Sequence, residues 1–439
     1  MTSSLAREPA LQLLLDRAEI HDLLMRYSFA CDRREFDLMT ACFAPDVGGE
    51  WTYGPIADRD ALMDYIRGVA RFHTTMHFMG NEFIEVSGDG ASLQAYAMLL
   101  HRATRSDGST FEHNPSDRLY SERLERRDGR WVIVERKAEP QWAPTGVTGV
   151  ETSDPAVQWL LDRAEIHDLM ASYALRVDQR DYDRVRACFA PGFRAVYGDH
   201  EFRDLDPLIE YISGVEHFFS TTHFYGTQLI EVAGDEAGMR TAAIISHRDR
   251  PDGEPEWAIA GRRYTDRLVR HEGRWLFAER APDAAPVPTA NPPRPTSDDP
   301  EVRVLLDRAE IEELIATFAI ALDRRDFELV RSCFAPDAGE HAEGLIASLR
   351  EELAPWRRST HLLGNQRFEI EGDRASAETY ALVNYQRAGE RAATHWSEGA
   401  RRYLDDLVRV DGRWRIARRR VEGPYYRDPA VHHAPAQED

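Results

Sequence analysis

Apolar side chains recur every three or four residues near the start of the chain, which is the spacing of one face of an α-helix. The residues that mark this stripe are Leu11, Leu14, Leu15, Ala18, Leu23, Leu24 and Tyr27. Two shorter helices are predicted over residues 34–43 and 58–71, the first ending before Pro45 and the second capped by Asp58. The apolar positions then alternate, which predicts strands over residues 77–86, 91–104, 116–126 and 131–137. Helices followed by strands favour an α+β fold, with the helices packed on one face of a curved antiparallel sheet.

This order of blocks occurs three times along the chain. Each copy opens with L-L-D-R-A-E-I, reaches a C-F-A-P turn, continues through a T-x-H or S-x-H block and closes on a strand that begins with G-R-W. The third copy lacks a stretch after Pro336. Proline-rich linkers are predicted at residues 140–155 and 281–300. We therefore predict three tandem domains over residues 1–145, 146–290 and 291–439.

Charge and cysteine content narrow the class of protein. The net charge of −21 argues against a nucleic-acid partner, because neutralising phosphates requires a basic face. Cys42, Cys188 and Cys333 are equivalent in the repeat and lie one to a domain, so they cannot form disulfides within a domain. Residues 1–12 contain no apolar segment typical of a signal peptide, and no apolar run is long enough to cross a membrane. A cytoplasmic protein with no membrane partner is predicted.

An aspartate near the end of the first helix and a histidine at the start of the first long strand recur in every copy. A sheet that curls over the helix would bring the two side chains together. A carboxylate that accepts the Nδ1 proton of histidine fixes its tautomer and leaves Nε2 as a general base. A purely structural hydrogen bond between helix and sheet explains the spacing equally well. The pairs are Asp32 with His77, Asp178 with His223, and Asp323 with His361.

Two further polar residues accompany this pair in the first two copies. Tyr27 and Tyr173 lie five residues before the aspartate, and His101 and His247 lie one strand after the first histidine. The third copy has Phe318 and Tyr385 at these places, so we expect its site to be weak or inactive. One Asp and two His could also form a non-haem iron site, in which two of the ligands usually lie close together on one strand.

The motifs D-R-x-x-F/Y-D, C-F-A-P, T-T-x-H-F-x-G-N and Y-x-D/E-x-L-x-R-x-D-G-R-W resemble the SnoaL-like branch of the NTF2-like superfamily. The resemblance covers nearly the whole chain and implies three cone-shaped α+β domains, each with a pocket between its helices and its sheet. Within that branch the chain is similar to scytalone dehydratase, bile acid 7α-dehydratase and hexachlorocyclohexane dehydrochlorinase. These are cofactor-independent lyases with an Asp–His dyad, and they are homotrimers. The resemblance therefore implies a monomeric, single-chain pseudo-trimer.

We therefore expect a cofactor-independent, dehydratase-like lyase that needs no metal ion. Its substrate is expected to be a small to medium apolar, oxygenated ring compound, from which the dyad removes a carbon-bound proton. By the resemblance, the tyrosine and the second histidine would bind the carbonyl or protonate the leaving hydroxyl group. Alternatives are an isomerase or polyketide-type cyclase that uses the same base, and a non-catalytic binder of small hydrophobic ligands.

Overall fold

The computed structural model describes residues 8–51, 54–104, 110–112, 116–137, 152–197, 199–248, 260–282, 295–387 and 396–427. Within these residues each repeat begins with a long helix and ends with strands, which confirms the α+β class and the three tandem domains. Most of the two predicted linkers, at 138–151 and 283–294, lies outside the described residues. The exact domain boundaries therefore remain predictions.

The first repeat runs from helix α1 to strand β7. Its helices are α1 (Pro9–Arg33), α2 (Phe36–Thr40) and α3 (Arg59–Ile66), and a 3₁₀ turn follows over Arg67–Arg71. Its strands are β1 (Phe43–Trp51), β2 (Gly54–Ile56), β3 (Thr74–Ser87), β4 (Gly90–Thr104), β5 (Thr110–Glu112), β6 (Ser116–Arg127) and β7 (Arg130–Lys137). The strand order is β2-β1-β7-β6-β4-β3, with β5 paired to β4.

Three local predictions for this repeat can be compared with the structure. Asp58 caps α3 as expected, since its carboxylate accepts a hydrogen bond of 2.9 Å from the backbone N–H of Ala61. Helix α2 is shorter than predicted because Arg34 takes a left-handed conformation, with φ of 64°, and ends α1. Strand β1 is not predicted by the sequence pattern. It pairs parallel to β7, so the sheet is mixed and not wholly antiparallel.

The second repeat has the same order of elements. Its helices are α4 (Pro155–Asp178), α5 (Tyr182–Arg186) and α6 (Leu205–Ile212), with a 3₁₀ turn over Ser213–His217. Its strands are β8 (Phe189–Tyr197), β9 (His200–Phe202), β10 (Ser220–Ala233), β11 (Glu236–Arg248), β12 (Ala260–His271) and β13 (Arg274–Pro282). They are ordered β10-β11-β12-β13-β8-β9, and β8 pairs parallel to β13.

The third repeat departs from this plan where the sequence is shorter. Its helices are α7 (Pro300–Arg324), α8 (Phe327–Ser332) and α9 (Gly339–Leu353), with a 3₁₀ turn over Pro336–Ala338. Its strands β14 (Trp356–Glu371), β15 (Arg374–Arg387), β16 (Trp396–Val410) and β17 (Arg413–Arg427) form an antiparallel sheet in chain order. An isolated parallel bridge between Phe334 and Ile416 remains where the first two repeats have a full strand.

The chain forms two compact units. One contains Met1–Ser172 with Pro295–Leu305, and the other contains Tyr173–Arg294 with Leu306–Asp439. In the second unit, the hydroxyl of Thr227 on β10 donates to the carbonyl of His361 at 2.7 Å and accepts from the N–H of Leu363 at 2.8 Å. A side chain of the second repeat thus holds the backbone of the strand that carries the third histidine.

Candidate active site

The Asp–His pair of the first domain joins the last turn of α1 to strand β3. Asp32 Oδ1 lies 2.7 Å from His77 Nδ1, and Asp32 Oδ2 accepts the backbone N–H of His77 at 2.9 Å. The hydroxyl of Thr75 donates to the same Oδ1 at 2.9 Å. Both side chains of the pair are 5% exposed, so the ionic hydrogen bond lies almost entirely away from water. The structure therefore brings together the two residues that the spacing predicts.

The second and third domains repeat this geometry closely. The distance from the Asp Oδ1 to the His Nδ1 is 2.6 Å both in Asp178–His223 and in Asp323–His361. The backbone N–H of each histidine again donates to the second carboxylate oxygen, at 2.8 and 2.9 Å. The third domain thus keeps a complete and buried pair, although its other site residues differ.

An arginine that the sequence analysis did not single out holds this pair in place. Arg34 Nη1 donates to the Thr75 hydroxyl at 2.6 Å and to the carbonyl of Asp32 at 3.0 Å. Because the Thr75 hydroxyl accepts a hydrogen bond from the guanidinium, its own proton is donated to the Asp32 carboxylate. The second and third domains build the same chain with Arg180 and Thr221, and with Arg325 and Ser359. In the sequence, the residues of this network recur in all three copies as the motifs D-x-R and T-x-H or S-x-H.

The hydrogen bond to Asp32 fixes the direction in which His77 can react. When the imidazole is neutral, its Nδ1–H donates to the carboxylate and Nε2 faces the opposite side. Cys31 Sγ lies 3.6 Å from that Nε2. Burial lowers the pKa of His77, but the adjacent Cys31 and Asp32 raise it by more, and the net pKa lies well above 6.5.

The second histidine lies beside the first in the two domains that have it. Backbone register pairs His101 with Thr75 and His247 with Thr221. The His101 ring stacks on Phe72 at 4.4 Å, and its centroid is 6.0 Å from that of His77. The His247 ring stacks in the same way on Phe218, at 4.2 Å.

The predicted tyrosines of the first two domains are buried side chains. Tyr27 is 2% exposed, and its pKa is raised well above 10 because burial disfavours the phenolate. Its ring packs edge-on against Phe43 and Tyr120, with centroids 5.6 and 6.4 Å away. The hydroxyl of Tyr173 instead makes a 2.9 Å hydrogen bond to the hydroxyl of Tyr197. Burial also raises the pKa of Tyr120, and the charge of the His77 imidazolium partly offsets this.

Each domain also contains a buried arginine–carboxylate pair that the sequence analysis missed. Arg136 Nε lies 2.7 Å from Glu122, and both side chains are fully buried. The Arg136 guanidinium is 4.1 Å from the ring centroid of Tyr27. Burial raises the pKa of Glu122, and the arginine partly offsets this. The equivalent pairs are Arg280 with Asp266, whose pKa burial raises to about 6, and Arg419 with Asp405. In the sequence, these pairs correspond to the acidic residue of the repeated Y-x-D/E motif and to the arginine five residues after each G-R-W tryptophan.

The third domain has a different polar group in place of the second histidine. Tyr385 pairs in register with Ser359, and its ring packs on Trp356 at 5.0 Å. Its hydroxyl donates to Glu352 at 2.8 Å, and Arg401 donates to the same carboxylate oxygen at 3.0 Å. In the third domain, α9 therefore supplies a carboxylate to the residue that replaces the second histidine.

Within the described residues, no group of three or more His, Cys, Asp or Glu side chains could hold a metal ion. No helix in the same part of the chain is both long and apolar enough to cross a membrane.

The fold and the site together define a class: an α+β domain that buries an Asp–His pair between its long helix and its sheet. The chain belongs to the SnoaL-like domain family, whose model matches residues 12–137, 158–281 and 303–420. These matches confirm the threefold repeat and the resemblance to the SnoaL-like branch of the NTF2-like superfamily. Dehydratases, isomerases and cyclases occur in this family, so membership supports an enzyme but does not decide the reaction.

Similar proteins match single domains of the chain. An uncharacterized protein of Mycobacterium tuberculosis, Rv2910c, is 30% identical over 128 residues, which are 27% of this chain and 86% of that protein. An uncharacterized protein of Mycobacterium bovis matches equally well. A candidate scytalone dehydratase from Novosphingobium aromaticivorans matches with a TM-score of 0.25 and 21% identity, over 31% of this chain and 97% of that one. A cystatin-like protein of unknown function from Nostoc punctiforme matches with a TM-score of 0.24 and 20% identity, over 29% and 93%.

Proposed function

We propose that this protein is a cofactor-independent lyase in which an Asp–His pair removes a carbon-bound proton from an apolar, oxygenated ring compound. The observation that supports it most is the buried hydrogen bond of 2.7 Å between Asp32 and His77, which recurs at 2.6 Å between Asp178 and His223. Three separate donors hold each carboxylate: the imidazole, a backbone N–H and a hydroxyl group. A fixed carboxylate that orients an imidazole is what a general base requires.

The proton would be taken by Nε2, because Nδ1 is committed to the aspartate. A buried carboxylate stabilises the imidazolium that forms, and a positioned base of this kind contributes about 10²–10⁴-fold to rate. Since the pKa of His77 lies well above 6.5, its base form increases as the pH rises through that pKa. Reaction in the first domain should therefore become faster with rising pH.

The leaving hydroxyl group or the carbonyl oxygen of the substrate would be bound by the neighbouring polar groups. His101 lies beside His77, with ring centroids 6.0 Å apart, and can hydrogen-bond an oxygen on the same ligand. Tyr27 and Tyr120 have raised pKa values, so they remain protonated donors at neutral pH. Low exposure strengthens each of these interactions in the transition state.

The second domain would carry out the same reaction with Asp178, His223, Tyr173 and His247. The third domain would be weak or inactive, with Asp323 and His361 kept as a structural pair. The position of its second histidine is taken by Tyr385, whose hydroxyl is already bound to Glu352. This difference predicts that removing His361 changes total turnover little.

The test is a screen of cyclic β-hydroxyketones, with loss of water followed by the absorbance of the enone product. Asp32→Asn combined with Asp178→Asn should reduce dehydration by about 10²-fold or more, because the imidazoles lose the charge that orients them. Asp337→Asn, at an exposed aspartate outside the sites, serves as the matched control. Full activity in the double variant would contradict the proposal. Product analysis by NMR separates dehydration from isomerisation or cyclisation by the same base.

A further inference from the structure

The first domain places a thiol against the reactive nitrogen of its histidine. Cys31 is fully buried in the last turn of α1, and its Sγ lies 3.6 Å from His77 Nε2. On the opposite side of the same ring, Nδ1 is hydrogen-bonded to Asp32 at 2.7 Å. Sulfur, imidazole and carboxylate thus lie in series, which is the arrangement that activates a cysteine nucleophile.

This thiol occurs in the first domain alone, although the Asp–His pair occurs in all three. The residues that precede the other two aspartates are Val177 and Leu322. Their aliphatic side chains cannot give a proton to an imidazole. The first and second domains therefore differ at one position that contacts the predicted base.

The remaining three cysteines have no comparable surroundings and provide an internal control. Cys42, Cys188 and Cys333 lie 3.5, 3.5 and 3.3 Å from a backbone carbonyl oxygen of the preceding helical turn. Burial raises the pKa of Cys42 and Cys188 to about 12 and that of Cys333 to about 11. Such thiols are poor nucleophiles at neutral pH.

We propose that Cys31 is a nucleophilic thiol that forms a covalent adduct with a small α,β-unsaturated ketone bound in the first domain. The thiol proton passes to His77 Nε2, and a new S–C bond forms at the β-carbon of the ketone. The π electrons of the C=C bond move to the enolate, and the proton then passes from His77 to the α-carbon. The addition needs no oxidant and no leaving group. The choice of an enone rests on the proposed function, because loss of water from a β-hydroxyketone yields this class of compound.

The consequence is that two domains with the same Asp–His pair would have different chemistry. In the second domain the proton carried by the imidazole comes from the carbon of a substrate. In the first domain it can also come from sulfur, and the ligand then remains attached to the protein. Cys31 would thus make the first domain a site of covalent capture.

The experiment treats the whole native protein with methyl vinyl ketone and locates adducts by peptide mass spectrometry. We expect Cys31 to be modified about 10²-fold faster than the other three cysteines, a ratio typical of an assisted proton transfer. His77→Gln should reduce the rate at Cys31 to that of the others. Labelling of Cys31 that is no faster than labelling of Cys188, or that is unchanged in His77→Gln, would overturn the proposal.

A gain of reactivity in the second domain provides a matched test that does not depend on the stability of the His77 variant. Val177→Cys should create a second reactive thiol beside His223, and adding His223→Gln should remove that reactivity. An unreactive Cys at position 177 would also count against the proposal. Adduct formation requires no turnover. A protein that dehydrates the substrate but in which Cys31 is labelled no faster than the other cysteines would therefore overturn this inference alone. Labelling without dehydration overturns only the proposed function.

Discussion

At the scale of single residues, the Asp–His pair depends on a small hydroxyl group. Thr75 receives a hydrogen bond from Arg34 and donates one to Asp32, and Ser359 does the same in the third domain. The hydroxyl therefore connects a cation to the carboxylate and fixes the rotation of both side chains. A position that looks like an ordinary strand residue in the sequence thus orients the candidate base.

We predict that Thr75→Val destabilises the region around β3 by about 1–3 kcal/mol, because it leaves the half-buried Arg34 and the buried carboxylate of Asp32 with fewer partners. Native-state hydrogen exchange of the amides in β3 measures this loss directly. Thr75→Ser is the control, and it should retain most of the protection because serine already fills this role in the third domain. Equal exchange rates in the two variants would contradict this account.

The titration of His77 gives a second prediction at this scale. Its folded pKa is raised above 6.5, so the stabilisation that it gives is fully present below about pH 6.5 and is lost as the pH rises through the folded pKa. The NMR titration of the His77 ring should therefore have its midpoint above 6.5. Cys31→Val should lower that midpoint, because the thiol is one of the groups that raise it. A wild-type midpoint at or below 6.5 would show that burial outweighs both neighbours.

At the scale of helices and strands, the periodic elements could be predicted and the irregular ones could not. Helix α1 follows from its apolar stripe, and strands β3, β4, β6 and β7 follow from their alternation. Strand β1 contains Pro45 and begins inside a motif typical of a turn, so its parallel pairing with β7 leaves no signal in the sequence. A register shift between Phe43 and Gly48 accommodates the proline.

The same distinction applies to the candidate site. The repeated Asp and His could be predicted because their chemistry and spacing recur together. Arg136 and Glu122 were missed because each looks like an exposed residue of an alternating strand. Only the three-dimensional structure shows that both are fully buried beneath Tyr27.

We predict that breaking the ion pair between Glu122 on β6 and Arg136 on β7 destabilises the fold, because the remaining partner stays buried. Arg136→Met should reduce the free energy of unfolding by about 3–5 kcal/mol, since Glu122 would remain buried without its partner. Urea denaturation measures this change. Glu135→Gln, which removes partly exposed ion pairs with Lys137 and Arg123, should cost at most about 1 kcal/mol. Similar losses in both variants would mean that burial of the pair is not the cause.

At the scale of the whole molecule, three family domains lie in one chain, and their sites are not equal. The first adds Cys31, the second closely follows the predicted plan, and the third replaces the second histidine with Tyr385 and Glu352. Fusion into one chain allows each site to change separately, whereas a trimer of identical chains must change all three at once.

We predict that the protein is a monomer in solution, because its three domains would supply what three separate chains supply in the trimeric proteins that it resembles. Sedimentation equilibrium should give the mass of one chain, 50.2 kDa. The concentration dependence of the mass provides the control, since a monomer gives the same value throughout. A mass of two or three chains would show that the fusion does not replace assembly.

We propose that His77 and His223 are the bases of two working sites and that His361 is not. The most direct measurement compares dehydration of one cyclic β-hydroxyketone by the wild type, by His77→Ala with His223→Ala, and by His361→Ala alone. We expect the double variant to lose about 10²-fold or more of the rate, whereas His361→Ala should keep most of it. Turnover that survives in the double variant, or that is abolished by His361→Ala alone, would rule out these roles.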